Sequence, residues 1–212
     1  MRRAPLRIVA ILLSAWAAAC HATTASQPPL IQPGAPGQAS RAIAPDKASD
    51  QSHVQFTAAD VRFMQGMIGH HAQALEMTAL VPSRTARADL KTLAMRIEVS
   101  QADEIKMMER WLQARRQTVP GPHAMHMHGA TLMPGMLTPE QMNALTTAKG
   151  TAFDRLFLEG MIQHHGGALT MVHDLFATPG AGQEADIFGF ASDVDADQRA
   201  EIDRMRSMLA TQ

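Results

Sequence analysis

A 21-residue segment occurs twice in this chain, 94 positions apart, and each copy carries a double histidine. Residues 57–77 read TAADVRFMQGMIGHHAQALEM, and residues 151–171 read TAFDRLFLEGMIQHHGGALTM. Twelve of the 21 positions are identical, among them Thr57/Thr151, Asp60/Asp154, Phe63/Phe157, Gly66/Gly160, Met67/Met161, His70/His164, His71/His165, Ala74/Ala168 and Met77/Met171. A repeat of this kind constrains the architecture first, because each copy must be one structural unit. The likeness continues beyond the segment: Gln101, Glu104, Ile105 and Met108 correspond to Gln198, Glu201, Ile202 and Met205 at an offset of 97. The three-residue difference falls in a connecting loop, where insertions are tolerated.

The long segments carry helical rather than strand periodicity. Four main helices are predicted, at roughly 58–81, 86–116, 152–177 and 184–210. Each half is then a helical hairpin (about 57–116 and 151–210), and two hairpins make an all-α four-helix bundle over 53–212. Thr57 with Asp60, and Thr151 with Asp154, have the form of an N-terminal capping box. Those aspartates lie three turns, about 16 Å, from the histidine pairs and cannot share a metal with them. Pro82-Ser83 and Thr178-Pro179-Gly180 break the chain after the first and third helices, and Pro120-Gly121-Pro122 stops the second. Thr138-Pro139-Glu140 opens a short extra helix, which Gly150 is expected to end.

The first twenty residues read as an export signal: Arg2, Arg3 and Arg7, then an apolar run from Ile8 to Ala19 too short to span a membrane. Ala17-Ala18-Ala19 directly precede Cys20, the only cysteine. This resembles a lipobox with Ala17 in place of the usual leucine, so Cys20 is the expected lipidation site. The other reading is an ordinary secretory signal cut after Ala-x-Ala. Residues 21–52, rich in Pro, Gly, Ala, Ser and Gln, read as a flexible tether. The expected location is therefore the periplasm, on a membrane-anchored lipoprotein. Without the three leader arginines, the 19 basic residues fall to 16 against 20 acidic ones. No basic patch or aromatic interleaving points to nucleic acid.

On helix one, Phe63, Met67, Ala74 and Thr78 mark the core face, with His70 and His71 to either side of it. Helix three repeats this with Phe157, Met161, Ala168 and Val172 around His164 and His165. Gly66 and Gly160 each cost about 1 kcal/mol in a helix interior relative to alanine, so something must approach closely there. Gln101 and Gln198 lie in the buried stripes of helices two and four, with Glu104 and Glu201 at the edge. Buried polar groups must be paired, and two readings satisfy this. One is a hydrogen-bonded polar layer that sets helix register. The other is a metal site in which the histidines, with Met67 and Met161 one turn before them, present imidazole and thioether. Thioether favours cuprous copper, while imidazole suits several transition metals. Gln101 and Gln198 would then orient the ring nitrogens not bound to metal, with Glu104 and Glu201 beside them.

A second cluster lies between the halves, in the loop and short helix at 117–150. His123, Met125, His126, Met127 and His128 sit in a Gly/Pro-bounded run followed by Met133 and Met136. Alternating His and Met reads as metal binding; the alternative is a loop whose methionines pack on the bundle. Methionine and histidine also avoid the disulfide chemistry that cysteine meets outside the cytoplasm.

The segments DRLFLEGMIQHHGGALTM and VRFMQGMIGHHAQALEM, Gln-x-x-Glu-Ile on the following helices, and MPGMLTPEQM between the halves resemble the bacterial domain of unknown function 305 family over 56–210. The resemblance implies a ferritin-like four-helix bundle, in a family some of whose members are periplasmic copper-binding proteins. It implies His70, His71, Met67 and Met77, with His164, His165, Met161 and Met171, as candidate ligands. The expected function is copper binding, Cu(I) or Cu(II), with buffering or transfer to a copper-handling partner and no catalytic residue assigned; another transition metal is also compatible. The rival readings are a ferritin-like metal oxidase, which would use several inward carboxylates, and a metal-free module whose histidines respond to pH.

Overall fold

The computed structural model describes residues 30–32, 39–43, 55–121 and 132–211. The expected signal sequence, Cys20, most of the expected tether, and the loop residues His123, Met125, His126, Met127 and His128 lie outside the described residues. Five helices follow in order: α1 (Ala58–Arg84), α2 (Ala88–Ala114), the short α3 (Pro139–Thr147), α4 (Gly150–Ala177) and α5 (Ala185–Leu209). α1 packs on α2, α4 on α5, and the two hairpins meet through α1 and α4. The fold is the all-α bundle of two helical hairpins. Within 21–52, β1 (Leu30–Gln32) pairs antiparallel with β2 (Arg41–Ile43), Leu30 facing Ile43 in register. The composition of that segment gives no reason to expect strands, and two three-residue strands are marginal on their own.

Three helix ends differ from expectation. α1 runs through Pro82 to Arg84 instead of stopping at 81. A proline in the last turn forfeits only one backbone bond, and the fully packed Val81 holds the turn in place. The Thr57–Asp60 capping box is present in both directions, but its expected counterpart is not. α4 begins at Gly150 with Lys149 as its N-cap and no side-chain cap, so Thr151 lies inside the helix. Gly150 opens α4 instead of ending α3; α3 stops at Thr147, and Gly150 takes the left-handed conformation, φ 57°. Asp60 does more than cap: its Oδ1 accepts from the backbone N–H of Gly182, at 2.7 Å, tying α1 to the α4–α5 turn.

The core is divided at its waist. One apolar cluster gathers Met77, Val81, Leu90, Ile97, Phe153, Phe157, Met161 and Met205. The other gathers Phe63, Met67, Met108, Leu112, Val172, Ile187 and Val194. On each of the four long helices the polar residues fall between the two: His70 and His71 on α1, Gln101 and Glu104 on α2, His164 and His165 on α4, Gln198 and Glu201 on α5. The histidines and glutamines are buried, the four imidazoles completely.

Candidate metal centre

Each imidazole in the waist has one nitrogen committed. His71 Nε2 donates to Glu104 Oε2 and His165 Nε2 to Glu201 Oε2, both at 2.6 Å. His164 Nε2 lies 2.8 Å from the backbone carbonyl of His70, and His70 Nε2 lies 3.0 Å from the carbonyl of Pro134. A carbonyl oxygen only accepts, so Nε2 carries the proton in both of these rings. The rings of His70 and His164 lie against one another, centroids 3.8 Å apart, at the meeting of α1 and α4. Nδ1 of all four rings is buried with no hydrogen-bond partner.

Burial first, then the neighbouring imidazole of His71, pushes His70 down to about 3. His164 is held well below the usual histidine range, by burial and then by His70. Both rings are therefore neutral at ordinary pH, and each Nδ1 is a bare lone pair aimed at no donor. Burial raises the carboxyl of Glu104, but the hydrogen bonds from His71 and Ser100 outweigh this and hold it below the usual range. Glu104 is thus an ionised acceptor, and His71 must be the donor. A carboxylate behind an imidazole fixes the ring and raises the basicity of its free nitrogen.

The glutamines expected to orient the rings do not. Both side-chain atoms of Gln101 and Oε1 of Gln198 are buried without partners, while Glu104 and Glu201 reach the rings. Met67 and Met161, one helical turn before the histidine pairs, are fully buried. Met77 and Met171 pack reciprocally: a Cβ on Gly160 would stand 3.4 Å from Met77 Cε, and one on Gly66 would stand 3.4 Å from Met171 Cε. The repeated glycines thus make room for the repeated methionines across the α1–α4 contact. Among the described residues, no three His, Cys, Asp or Glu side chains converge as a ready cage for a metal ion.

The strap at 133–137 is part of the site, and its anchors are absent from the sequence reading. Gln73 clamps Leu137 twice, Nε2 donating to its carbonyl at 3.0 Å and Oε1 accepting from its N–H at 2.7 Å. At the matching position of the other repeat stands Gly167, where a Cβ would lie 1.9 Å from the Pro134 carbonyl. A Cβ on Gly135, at φ 74°, would stand 2.5 Å from the Gln163 carbonyl oxygen and 2.6 Å from Gly167 Cα. The strap is thus pinned across α1 and α4 with Pro134 over His70. The signal available in the sequence was the mismatch Gln73/Gly167, one of nine in the 21-residue segment.

A cleft of about 920 Å³ lies between α2 and α5, lined by Asp103, Glu104, Asp193 and Asp197 together with Trp111 and Phe190. Glu104 and Glu201 keep about a fifth of their side chains exposed, 20% and 22%. Burial, then Glu104, Glu201 and Asp193, raise the Asp197 carboxyl above its ordinary value. Arg110 and Arg115 also line the cleft, but acidic residues outnumber them, so the approach to the Glu104–His71 pair favours entry of cations. Among the described residues, no helix is long and apolar enough to cross a membrane.

The sequence matches the family described as Domain of unknown function (DUF305) over residues 60–209. A DUF305 fragment from Deinococcus radiodurans has a similar structure, TM-score 0.64, at 29% identity, covering 74% of this chain and 99% of that one. A presumptive secreted DUF305 protein from Streptomyces coelicolor gives a TM-score of 0.63 at 30% identity, covering 72% and 93%. CopM in its Cu(II)-bound form gives 0.60 at 30% identity, covering 72% and 96%. CopM structures in Cu(I)-bound and Ag-bound forms are also similar. No curated protein sequence matches the chain.

Proposed function

The chain belongs to the DUF305 family, and from its buried histidine layer we propose that it is an exported protein that binds copper and buffers it or hands it on. The observation that carries this reading is the set of four Nδ1 atoms, all buried and all without a partner. Leaving a buried acceptor unpaired costs about 1–3 kcal/mol, so four in one layer call for an occupant. Imidazole nitrogens with Met67 and Met161 one turn before them form a donor set suited to copper, with the thioethers favouring the cuprous ion. Glu104 and Glu201 would hold two of the rings in their metal-binding tautomer. Since His70 and His164 lie ring against ring, loading a metal requires these rings to turn about their side-chain bonds. The copper-bound and silver-bound forms of CopM support the same reading by likeness.

The rival readings have less support. A ferritin-like oxidase needs several inward carboxylates, whereas Glu104 and Glu201 are here spent on imidazoles. A pH-responsive module needs rings that titrate near neutrality, and burial keeps His70 and His164 neutral far below it. In this proposal the leader at 1–20 directs export and Cys20 carries the lipid anchor. The His/Met loop at 123–128 is a second, weaker copper-binding segment.

Competition titrations with cuprous and cupric chelators on the mature chain test the proposal. Tight binding is expected, and replacing His70, His71, His164 and His165 with alanine removes the tighter site while circular dichroism reports whether the bundle survives. X-ray absorption at the copper edge of the unaltered protein gives a second readout. Imidazole scattering is expected at the first equivalent of metal; a sulfur-only shell would leave the histidines as a structural polar layer.

A further inference from the structure

The two inner rings of the histidine layer are held by acceptors of different kinds. His164 Nε2–H donates to the backbone carbonyl of His70, 2.8 Å away and inside α1. That acceptor moves only if the helix moves. His70 Nε2–H donates to the carbonyl of Pro134, 3.0 Å away, on a strap that belongs to neither hairpin. Among the described residues, no backbone–backbone hydrogen bond ties 133–137 to a long helix, so side chains hold the strap. Gln73 takes both backbone polar groups of Leu137, at 3.0 and 2.7 Å, and both bonds are buried. From α4, Gln163 Nε2 reaches the carbonyls of Gly135 and Met136 only at 3.4 Å, in less buried contacts. A hydrogen bond gains most where water is excluded, so the Gln73 pair is the stronger anchor. It is also unrepeated, since Gly167 stands at the matching position of α4.

We propose that Gln73 is a positioning residue: by latching the strap at Leu137 it holds the Pro134 carbonyl on His70, and so makes His70, not His164, the ring that can be freed without parting the helices. The link from anchor to carbonyl is short. Met136 N–H closes a turn on the Met133 carbonyl at 3.2 Å, with Gly135 in the left-handed region inside it. Release of Leu137 lets this turn lift as a piece from α1. His70 Nε2–H then loses its acceptor, and the ring is free to rotate about its side-chain bonds. His164 keeps its acceptor in the same event, because α1 and α4 stay together. If the layer takes up copper as proposed above, His70 is the first inner ring able to turn toward it. The freedom of the ring is a property of the metal-free chain, and it stands or falls without that reading.

The test uses the metal-free mature chain. Imidazole N–H protons are followed by ¹H–¹⁵N spectroscopy, and diethylpyrocarbonate with peptide mass spectrometry reports access to each ring. In the unaltered protein both Nε2–H protons should be protected, with that of His70 exchanging faster than that of His164. Gln73→Leu keeps apolar bulk but bonds neither backbone group of Leu137. It should speed exchange of the His70 proton about tenfold or more, as a local opening does, and expose that ring to the reagent. The His164 proton should stay protected. Gly167→Ala should give the same pattern with Gln73 intact, because its Cβ would run into the Pro134 carbonyl. Gly166→Ala, whose Cβ meets nothing within 4 Å, should leave both rings as they were. A His70 proton as protected in Gln73→Leu as in the unaltered chain would overturn the proposal. So would equal exchange of the two rings in the unaltered chain, since the layer would then open only with the whole bundle.

Discussion

Burial holds His70 neutral down to about 3, whereas in the unfolded chain the same ring takes up a proton near its ordinary value of 6.5. Between those values the unfolded state binds more protons, so stability is full above the unfolded value and is lost as pH falls through the window. The loss is about 1.4 kcal/mol per pH unit for each such ring, and His164 acts in the same direction. The metal-free protein should therefore melt at steadily lower temperature from pH 7 to pH 4, and His70→Asn should flatten that slope. A melting temperature constant over this range would contradict a buried neutral ring. At the same scale, Glu104→Ala or Glu201→Ala leaves a buried Nε2–H without an acceptor, at about 1–3 kcal/mol of folding stability. If the histidines bind copper as proposed, loss of such a supporting carboxylate should also weaken that binding about 10–100-fold. Glu104→Gln keeps an acceptor oxygen and should recover most of the stability, as chemical denaturation beside chelator competition would measure.

At the level of elements, the bundle distinguishes residues that look equivalent in the sequence. Gly166 and Gly167 are adjacent in α4, yet a Cβ on Gly166 meets nothing within 4 Å while one on Gly167 strikes the Pro134 carbonyl. Gly166→Ala should stabilise by about 0.5–1 kcal/mol through helix propensity. Gly167→Ala should cost about 1–3 kcal/mol by overpacking and should release the strap from α4. Thermal melts of the two variants should move in opposite directions. The two capping threonines separate in the same way. Thr57→Ala removes the side-chain half of a capping box and leaves its backbone N–H on Asp60, at about 1 kcal/mol, whereas Thr151→Ala should cost little because Lys149 is the N-cap of α4.

For the whole molecule, the two hairpins share a waist that neither could satisfy alone: His164 of one donates to the backbone of His70 in the other. The bundle should therefore unfold as one cooperative unit. If 21–52 is a tether, its deletion should barely change the melting temperature; a large drop would mean that it packs on the bundle. If Cys20 carries the lipid, Cys20→Ser should release a folded, helical protein from the membrane fraction. Mass spectrometry that finds an unmodified N-terminus at another residue would reject the anchor.

The repeat and its 3.6-residue period by themselves determined the class of fold, the pairing of helices into hairpins, and the placement of four histidines on core-facing sectors, because these are properties of local geometry and of which faces are apolar. They could not determine which atoms meet. Gln101 and Glu104 are three residues apart and share a helix face, so the period alone does not say which of them reaches an imidazole. Helix spacing and rotation decided for the carboxylates. The strap contacts join residues 64 apart in the chain, and no local pattern encodes Pro134 over His70 or Gln73 on Leu137. Nor could the repeat show that His70 is held by the strap while His164 is held by a helix carbonyl. That asymmetry comes from the segment between the halves, which is not repeated, and it depends on where the folded strap places Pro134 and Leu137.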